Sequence, residues 1–205
     1  MTPTERSSAR PRPSVVNARD AFFGYYPGTV AVVTSRHGDQ RNVMSAGWHA
    51  ALSADPPMYG VAIAPERASH GLVTASGGFV VGFLPFSAAE AIAGAGTLSA
   101  ADVPDKLARL GLSWRDDEAS GLPILDAAYL SYVCELRQRV PTGDHDFFVG
   151  EVRRLHYDPA AFAGRVQDAR AVPAVVYYGR AEYEALGSGP RATFPPERFR
   201  EDDER

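Results

Sequence analysis

A mainly β protein, an antiparallel barrel with a few short helices, is the fold this sequence predicts. Three observations lead there. Short runs rich in Val, Thr and aromatic residues recur along the chain, turn signals separate them at close intervals, and helical signals are few. Closing such strands on themselves removes the exposed edges that an open sheet would present.

The first run, Gly28 to Ser35, stops at Arg36-His37-Gly38-Asp39, which carries the Gly and Asp that hairpin turns favour. Its partner begins near Gln40 and passes through Val43 and Met44. Pro56-Pro57 blocks a helix and precedes a strand over Met58 to Ile63, and Gly77-Gly78 precedes another over Phe79 to Leu84. From Tyr129 to Val140 the pattern alternates. Leu130, Tyr132, Cys134 and Leu136 fall on a core face, while Ser131, Glu135 and Arg137 fall mainly on a wet one. Phe147 to Leu155 and Val172 to Tyr178 supply two more strands, joined by a segment that opens on the turn pair Asp158-Pro159. Two helices are expected. Ser87 with Glu90 offers a capping box ahead of an Ala-rich stretch, and Pro104 to Leu110 ends at Gly111 as a short capped helix.

The 205 residues fit one domain with tails. Residues 1–19 mix Pro, Ser, Thr and Arg, and residues 187–205 run from Gly-Ser-Gly-Pro to an acidic end, so both are expected to be disordered and to leave residues 20–186 as the folded unit. Hydrophobic residues at 45% support a real core, and a net charge of −4 without a basic stripe argues against a nucleic-acid partner. The single cysteine, Cys134, builds neither an internal disulfide nor a thiolate metal site, which suits a reducing cytoplasm. Apolar runs such as Val30 to Val33 fall far short of the ~20 residues that span a bilayer, so no membrane span is expected. Arg6, Arg10, Arg12 and Arg19 face only Glu5 at the start of the chain, in a segment without the apolar centre of a secretory signal.

No Gly-x-Gly-x-x-Gly, Lys-bearing phosphate loop, zinc-protease helix pair or Gly-x-Ser-x-Gly elbow is present, and the five histidines lack metal-site spacing. What stands out is Asn42-Val43-Met44-Ser45-Ala46-Gly47-Trp48. It is followed by Leu52-Ser53-Ala54-Asp55-Pro56-Pro57-Met58, Arg67-Ala68-Ser69-His70 and Phe79-Val80-Val81-Gly82. The small residues Ser45, Ala46 and Gly47 let backbone approach a flat ligand and offer amide donors, and Asn42 adds a side-chain amide. Trp48 presents a flat face that serves a core or an aromatic ligand equally. If Gly71 to Ser76 is a helical turn, Ser69 stands where a cap or a phosphate ligand belongs. A charge-assisted bond from Arg67 would then add about 1.5–3 kcal/mol, against ~0.3–1 kcal/mol from the helix end. The other reading of both is a solvated turn arginine and an ordinary cap.

In order and spacing these segments resemble the flavin reductase family, and the resemblance continues through Asp105-Lys106-Leu107, Cys134-Glu135-Leu136, Gly143-Asp144-His145-Asp146 and Val149-Gly150-Glu151-Val152 to Tyr177-Tyr178. It implies a split antiparallel, Greek-key β-barrel of the FMN-binding type, a homodimer, and FMN or FAD as cofactor. NADH or NADPH would be the hydride donor, and a partner monooxygenase a possible user of the reduced flavin. Carried over residue by residue, it implies cofactor contacts from Asn42, Met44, Ser45, Ala46, Gly47, Trp48, Arg67, Ala68, Ser69, His70, Lys106 and Tyr177. His145 would lie at the flavin edge where the nicotinamide approaches. The chain departs from the family at Gly82, where Asn is frequent, and at Ser69, where Thr is frequent. Because such a cofactor carries the hydride chemistry, no nucleophile or acid–base pair is required of the sequence. The rival expectation is a flavin-binding carrier, sensor or electron-transfer protein that turns over no coenzyme.

Overall fold

The Val-rich run that opens the predicted barrel is two strands, β1 (Gly28–Thr29) and β2 (Ala31–His37). β2 returns as β3 (Gln40–Ala46) through a two-residue turn at Gly38-Asp39. Gly38 takes a φ of 58° there, a left-handed value that a Cβ would strain. The computed structural model of the chain describes residues 17, 19, 27–100, 103 and 105–187. The tails expected over 1–19 and 187–205 lie outside the described residues except at 17, 19 and 187.

After β3 come β4 (His49–Ala54), β5 (Pro57–Ile63), α1 (Ala68–Ser76) and β6 (Gly78–Phe83). A 3₁₀ turn at Phe86–Ala88 leads into α2 (Ala89–Thr97), followed by α3 (Lys106–Arg109) and the short strands β7 (Trp114–Asp116) and β8 (Pro123–Leu125). The two longest strands, β9 (Leu130–Thr142) and β10 (His145–Tyr157), precede the ribbon of β11 (Phe162–Ala163) and β12 (Val166–Gln167), and then β13 (Val175–Gly179) and β14 (Glu182–Ala185).

Seven strands form one antiparallel sheet in the order β3-β2-β6-β9-β10-β5-β4, and β1, β13 and β14 form a second. The large sheet curls on itself. Side chains from strands far apart in that order, Val33 of β2, Ala46 of β3, Ile63 of β5, Phe79 of β6 and Phe148 of β10, share one buried cluster. The outer face of β2 and β3 is also covered, since Val32 and Val43 pack with Ile92 of α2, Leu107 of α3 and Val175 of β13. A strand buried on both faces reads as an unbroken apolar run, as Val30 to Val33 does. Gly150 serves this interior by absence of bulk. A Cβ on Gly150 would stand 2.7 Å from Cys134 Cβ and 2.8 Å from the Phe79 ring.

Four expectations are corrected. β4 was not predicted, because residues 50–54 are exposed and show no alternation to read. Ser87 and Glu90 form no capping box, since the chain enters α2 through the 3₁₀ turn and neither helix start has a side-chain cap. The second face of β9 is wet only from Glu135 onward, because Val133 packs under Leu122 and Ile124 and Ser131 is buried as well. The expected helix over Pro104 to Leu110 is one turn, α3, capped by the Asp105 carboxylate accepting from the Ala108 amide.

Candidate functional site

β3 is an edge strand, bonded to β2 on one side only, so its outer backbone groups face a gap instead of a neighbouring strand. The gap is a cavity of about 500 Å³, within the range of sites for small molecules and cofactors. Its first wall is the end of β3 with Asn42, Met44, Ser45 and Ala46, continued by Gly47 and Trp48. Its second is the passage from β5 into α1, with Ala62, Ala64, Glu66, Arg67 and Ala68. Its third is the end of α2, Ala95 to Ala100 without Thr97, together with Lys106 of α3; His145 completes the lining. The walls lie close because their residues are small: Ser45 donates its hydroxyl to the Ile92 carbonyl, and a Cβ on Gly96 would stand 3.5 Å from Ser45 Cβ.

The electrostatics of the cavity are those of an anion site. Lys106 is only 5% exposed, and its Nζ donates to the Ala95 carbonyl at 2.7 Å, in the last turn of α2 where the helix dipole is negative. Burial, and then the nearby Arg67 guanidinium, push its amine down to about 8 from 10.5. Among the described residues neither Arg67 nor Lys106 is in an ion pair. Arg67 also caps α1 with its backbone while making no side-chain cap bond, so the first amides of that helix add to the positive end of the cavity. Of the two cations only Lys106 is buried, while Arg67 and the neighbouring Glu66 are exposed, so the cost of an unpaired charge falls on Lys106, and an anionic ligand would offset it.

Asn42 supplies the polar complement. Its Nδ2 donates to Ser69 Oγ at 3.0 Å, and its Oδ1 is buried without a partner, an acceptor that awaits a donor from a ligand. Trp48, 37% exposed, and His145 form an aromatic corner with ring centroids 4.9 Å apart and planes tilted by 57°. His145 Nδ1 donates to the Asp144 carboxylate at 2.7 Å, which leaves Nε2 for a second partner. A ligand that satisfies all of this is flat, carries an anionic group at one end and has hydroxyl or N–H donors between. FMN has those features in its ring, its phosphate and its hydroxylated chain.

Of the residues expected at the site, Asn42, Met44, Ser45, Ala46, Gly47, Trp48, Arg67, Ala68, Lys106 and His145 meet at this cavity, whereas Ser69, His70 and Tyr177 do not line it. Ser69 lies inside the first turn of α1, fully buried, and makes no cap; its hydroxyl accepts from Asn42. His70 turns to Asp146, with Nε2 donating to Oδ2 at 2.8 Å. The Tyr177 ring packs behind Gly47, 3.8 Å from where a Cβ would be, and against Tyr183. Gly82, where the family often has Asn, sits between β2 and β9 and faces Ala128 and Ser131, away from the lining. The wall from Ala95 to Ala100 was missed. Apart from Leu98 its residues are small and carry no chemical signature, and only their density at the end of α2 marked a place where backbone could approach a ligand.

The chain resembles known proteins in sequence and in fold. Residues 23–187 match the family model described as Flavin reductase like domain. An uncharacterized protein of Pyrococcus abyssi is 36% identical over 139 residues, 68% of this chain and 79% of that protein. An NADH-dependent FMN reductase of Streptomyces nodosus subsp. asukaensis is 31% identical over 139 residues, 68% of this chain and 74% of the other. Among solved structures, an FMN-binding protein from Thermus thermophilus superimposes with a TM-score of 0.76 and 31% identity over 92% of this chain and 100% of its own. Among the described residues no cluster of three metal-ligating side chains occurs, and no helix is long and apolar enough to cross a membrane.

Proposed function

The chain belongs to the flavin reductase-like domain family, and from that premise we propose that its cavity binds FMN, or FAD in its place, and that the protein catalyses reduction of that flavin by NADH or NADPH. The observation that carries the proposal is the pair Arg67 and Lys106, neither of them in an ion pair among the described residues, on a cavity that is also lined by Asn42 with its buried, unpaired Oδ1.

The chemistry a bound flavin supplies is acceptance of hydride from the coenzyme and onward transfer of its electrons. The protein's own residues hold and orient. Arg67 and Lys106 neutralise the phosphate, Asn42 accepts from a donor of the ligand, and the small residues at 45–47 bring backbone amides to its edge. Trp48 and His145 form the corner against which a nicotinamide ring is positioned, and proximity, not acid–base catalysis, is their contribution. A homodimer belongs to the same proposal. β4 ends the large sheet with residues 50–54 exposed, Leu52 among them, an edge that a second copy would cover.

The test is direct. Purified protein titrated with FMN quenches flavin fluorescence with a one-to-one endpoint, and NADH or NADPH then bleaches flavin absorbance in stopped flow. Binding without bleaching by either coenzyme selects the second reading, a flavin-binding carrier, sensor or electron-transfer protein without turnover. Light scattering that finds a monomer at micromolar concentration removes the dimer.

A further inference from the structure

His70 was expected at the ligand and is instead engaged elsewhere, with a carboxylate next in sequence to His145. We infer that His70 and Asp146 are positioning residues: their bond clasps the tip of the β9–β10 hairpin onto α1 and so fixes His145 in its corner with Trp48. The role of His145 in placing a coenzyme rests on the proposed function; the clasp itself does not.

The two partners are 14% and 15% exposed on their side chains and bond at 2.8 Å. The His70 ring also meets Phe148 edge-on, with centroids 5.0 Å apart and planes at 88°. Asp146 and Phe148 are two apart on β10 and share a face, whereas His145 lies on the other, which is why one strand end can hold α1 with one side chain and line the cavity with the next. Arg139 of β9 stands 3.5 Å from the same Asp146 oxygen, so the carboxylate ties both strands of the hairpin to the helix.

The β5 ladder reaches β10 only as far as Asp146, opposite Ile63, so the hairpin tip beyond it pairs with no strand on that side. Residues 137–144 are exposed throughout, and the turn at Gly143-Asp144, with φ of 75° at Gly143, projects past the packed interior. α1 by contrast is anchored by the fully buried Val73. Breaking the clasp therefore releases the hairpin tip and leaves α1, with Arg67 and Ala68, in place. The two ends of the cavity should then respond differently. Coenzyme engagement at His145 weakens while the phosphate end is kept, and a displacement of an ångström there costs roughly a hundredfold in rate at most.

The experiment uses the full chain carrying His70→Ala, His70→Gln, Asp146→Asn or Asp146→Ala. Expected for His70→Ala, Asp146→Asn and Asp146→Ala is an NADH KM raised roughly tenfold with the FMN Kd within threefold of the parent, and for His70→Gln, which keeps an N–H donor, partial recovery. A merely structural role would move KM and Kd together with the melting temperature, and that result overturns the inference, as does an unchanged KM. A second arm needs neither cofactor nor turnover. In a Trp114→Phe background, emission from Trp48 in flavin-free protein should shift, and acrylamide quenching should change, when the clasp is broken. If the parent neither binds FMN nor oxidises NADH, the proposed function fails and this arm alone decides the clasp, with an unchanged Trp48 signal counting against it.

Discussion

Asp117 and Lys106 are both charged, both buried and both coupled to an arginine, yet their surroundings differ in kind. The Asp117 side chain, 1% exposed, accepts from Arg154 Nε and Nη2, from the Ser120 amide and hydroxyl, and from His156. Led by the arginine, these donors hold its carboxyl far below the usual carboxylate range. Lys106 has one carbonyl, and its arginine neighbour repels it. A buried charge met on every side ties the loop between β7 and β8 to β10; a buried charge left unmet, beside an exposed arginine and a cavity, is prepared for something from outside. The difference separates structural from functional polarity without reference to any relative.

The largest expected effect breaks the first cluster. Asp117→Ala leaves Arg154 and His156 without their acceptor and should cost about 2–4 kcal/mol of stability, toward the lower figure because both partners remain partly in water. Urea denaturation measures it. The FMN Kd should stay within twofold, since no member of the cluster lines the cavity, and a parallel loss of flavin affinity would erase the contrast between the two clusters.

Lys106→Met should invert that outcome. Losing one charge-assisted contact of about 1.5–3 kcal/mol weakens FMN roughly tenfold to a hundredfold by fluorescence titration. Stability of the flavin-free protein should change by less than about 1 kcal/mol, because relief of a buried unpaired charge offsets the lost bond to Ala95. A large destabilisation would place Lys106 with Asp117 among structural charges.

The same lysine sets a pH dependence that no carboxylate at the site would give. With its amine at about 8 in the free protein and raised by a bound phosphate, FMN affinity should be flat from about pH 7 to 8 and fall by up to tenfold per unit above that. Stability of the flavin-free protein runs the other way. Between pH 8 and 10.5 the unfolded chain keeps a proton that folded Lys106 has lost, so stability from this group rises with pH across that window. Lys106→Arg should abolish both slopes, as seen by titration and by melting temperature from pH 7 to 10.

Part of this was legible in residue order and part was not. The β2–β3 hairpin was readable because Gly38-Asp39 follows a Val-rich run, and the contiguous wall from Asn42 to Trp48 because its small residues interrupt a strand where bulk would be expected. β4 was illegible, since an edge strand exposed along residues 50–54 shows no period. The directions of Ser69 and His70 were illegible too, since one turn of helix rotation decides whether a side chain faces the cavity or Asp146. The burial of Lys106 depends on α2 and α3 meeting in space, which no local pattern records.

The smallest effect concerns Gly82. The resemblance makes it a departure that removes an amide contact from the cofactor, but its position on β6 puts the missing side chain toward Ala128 and Ser131, where a Cβ would find contacts of 3.5 to 3.7 Å. These are ordinary packing distances, and Gly82 has no left-handed φ, so Gly82→Ala should be tolerated within about 0.5 kcal/mol, helped by a less flexible unfolded chain. Its FMN Kd should match the parent within twofold. Should the alanine variant instead lose affinity while keeping its urea midpoint, the outer face of β6 would have to communicate with the cavity, and the division between packed interior and open site would run elsewhere than along β3.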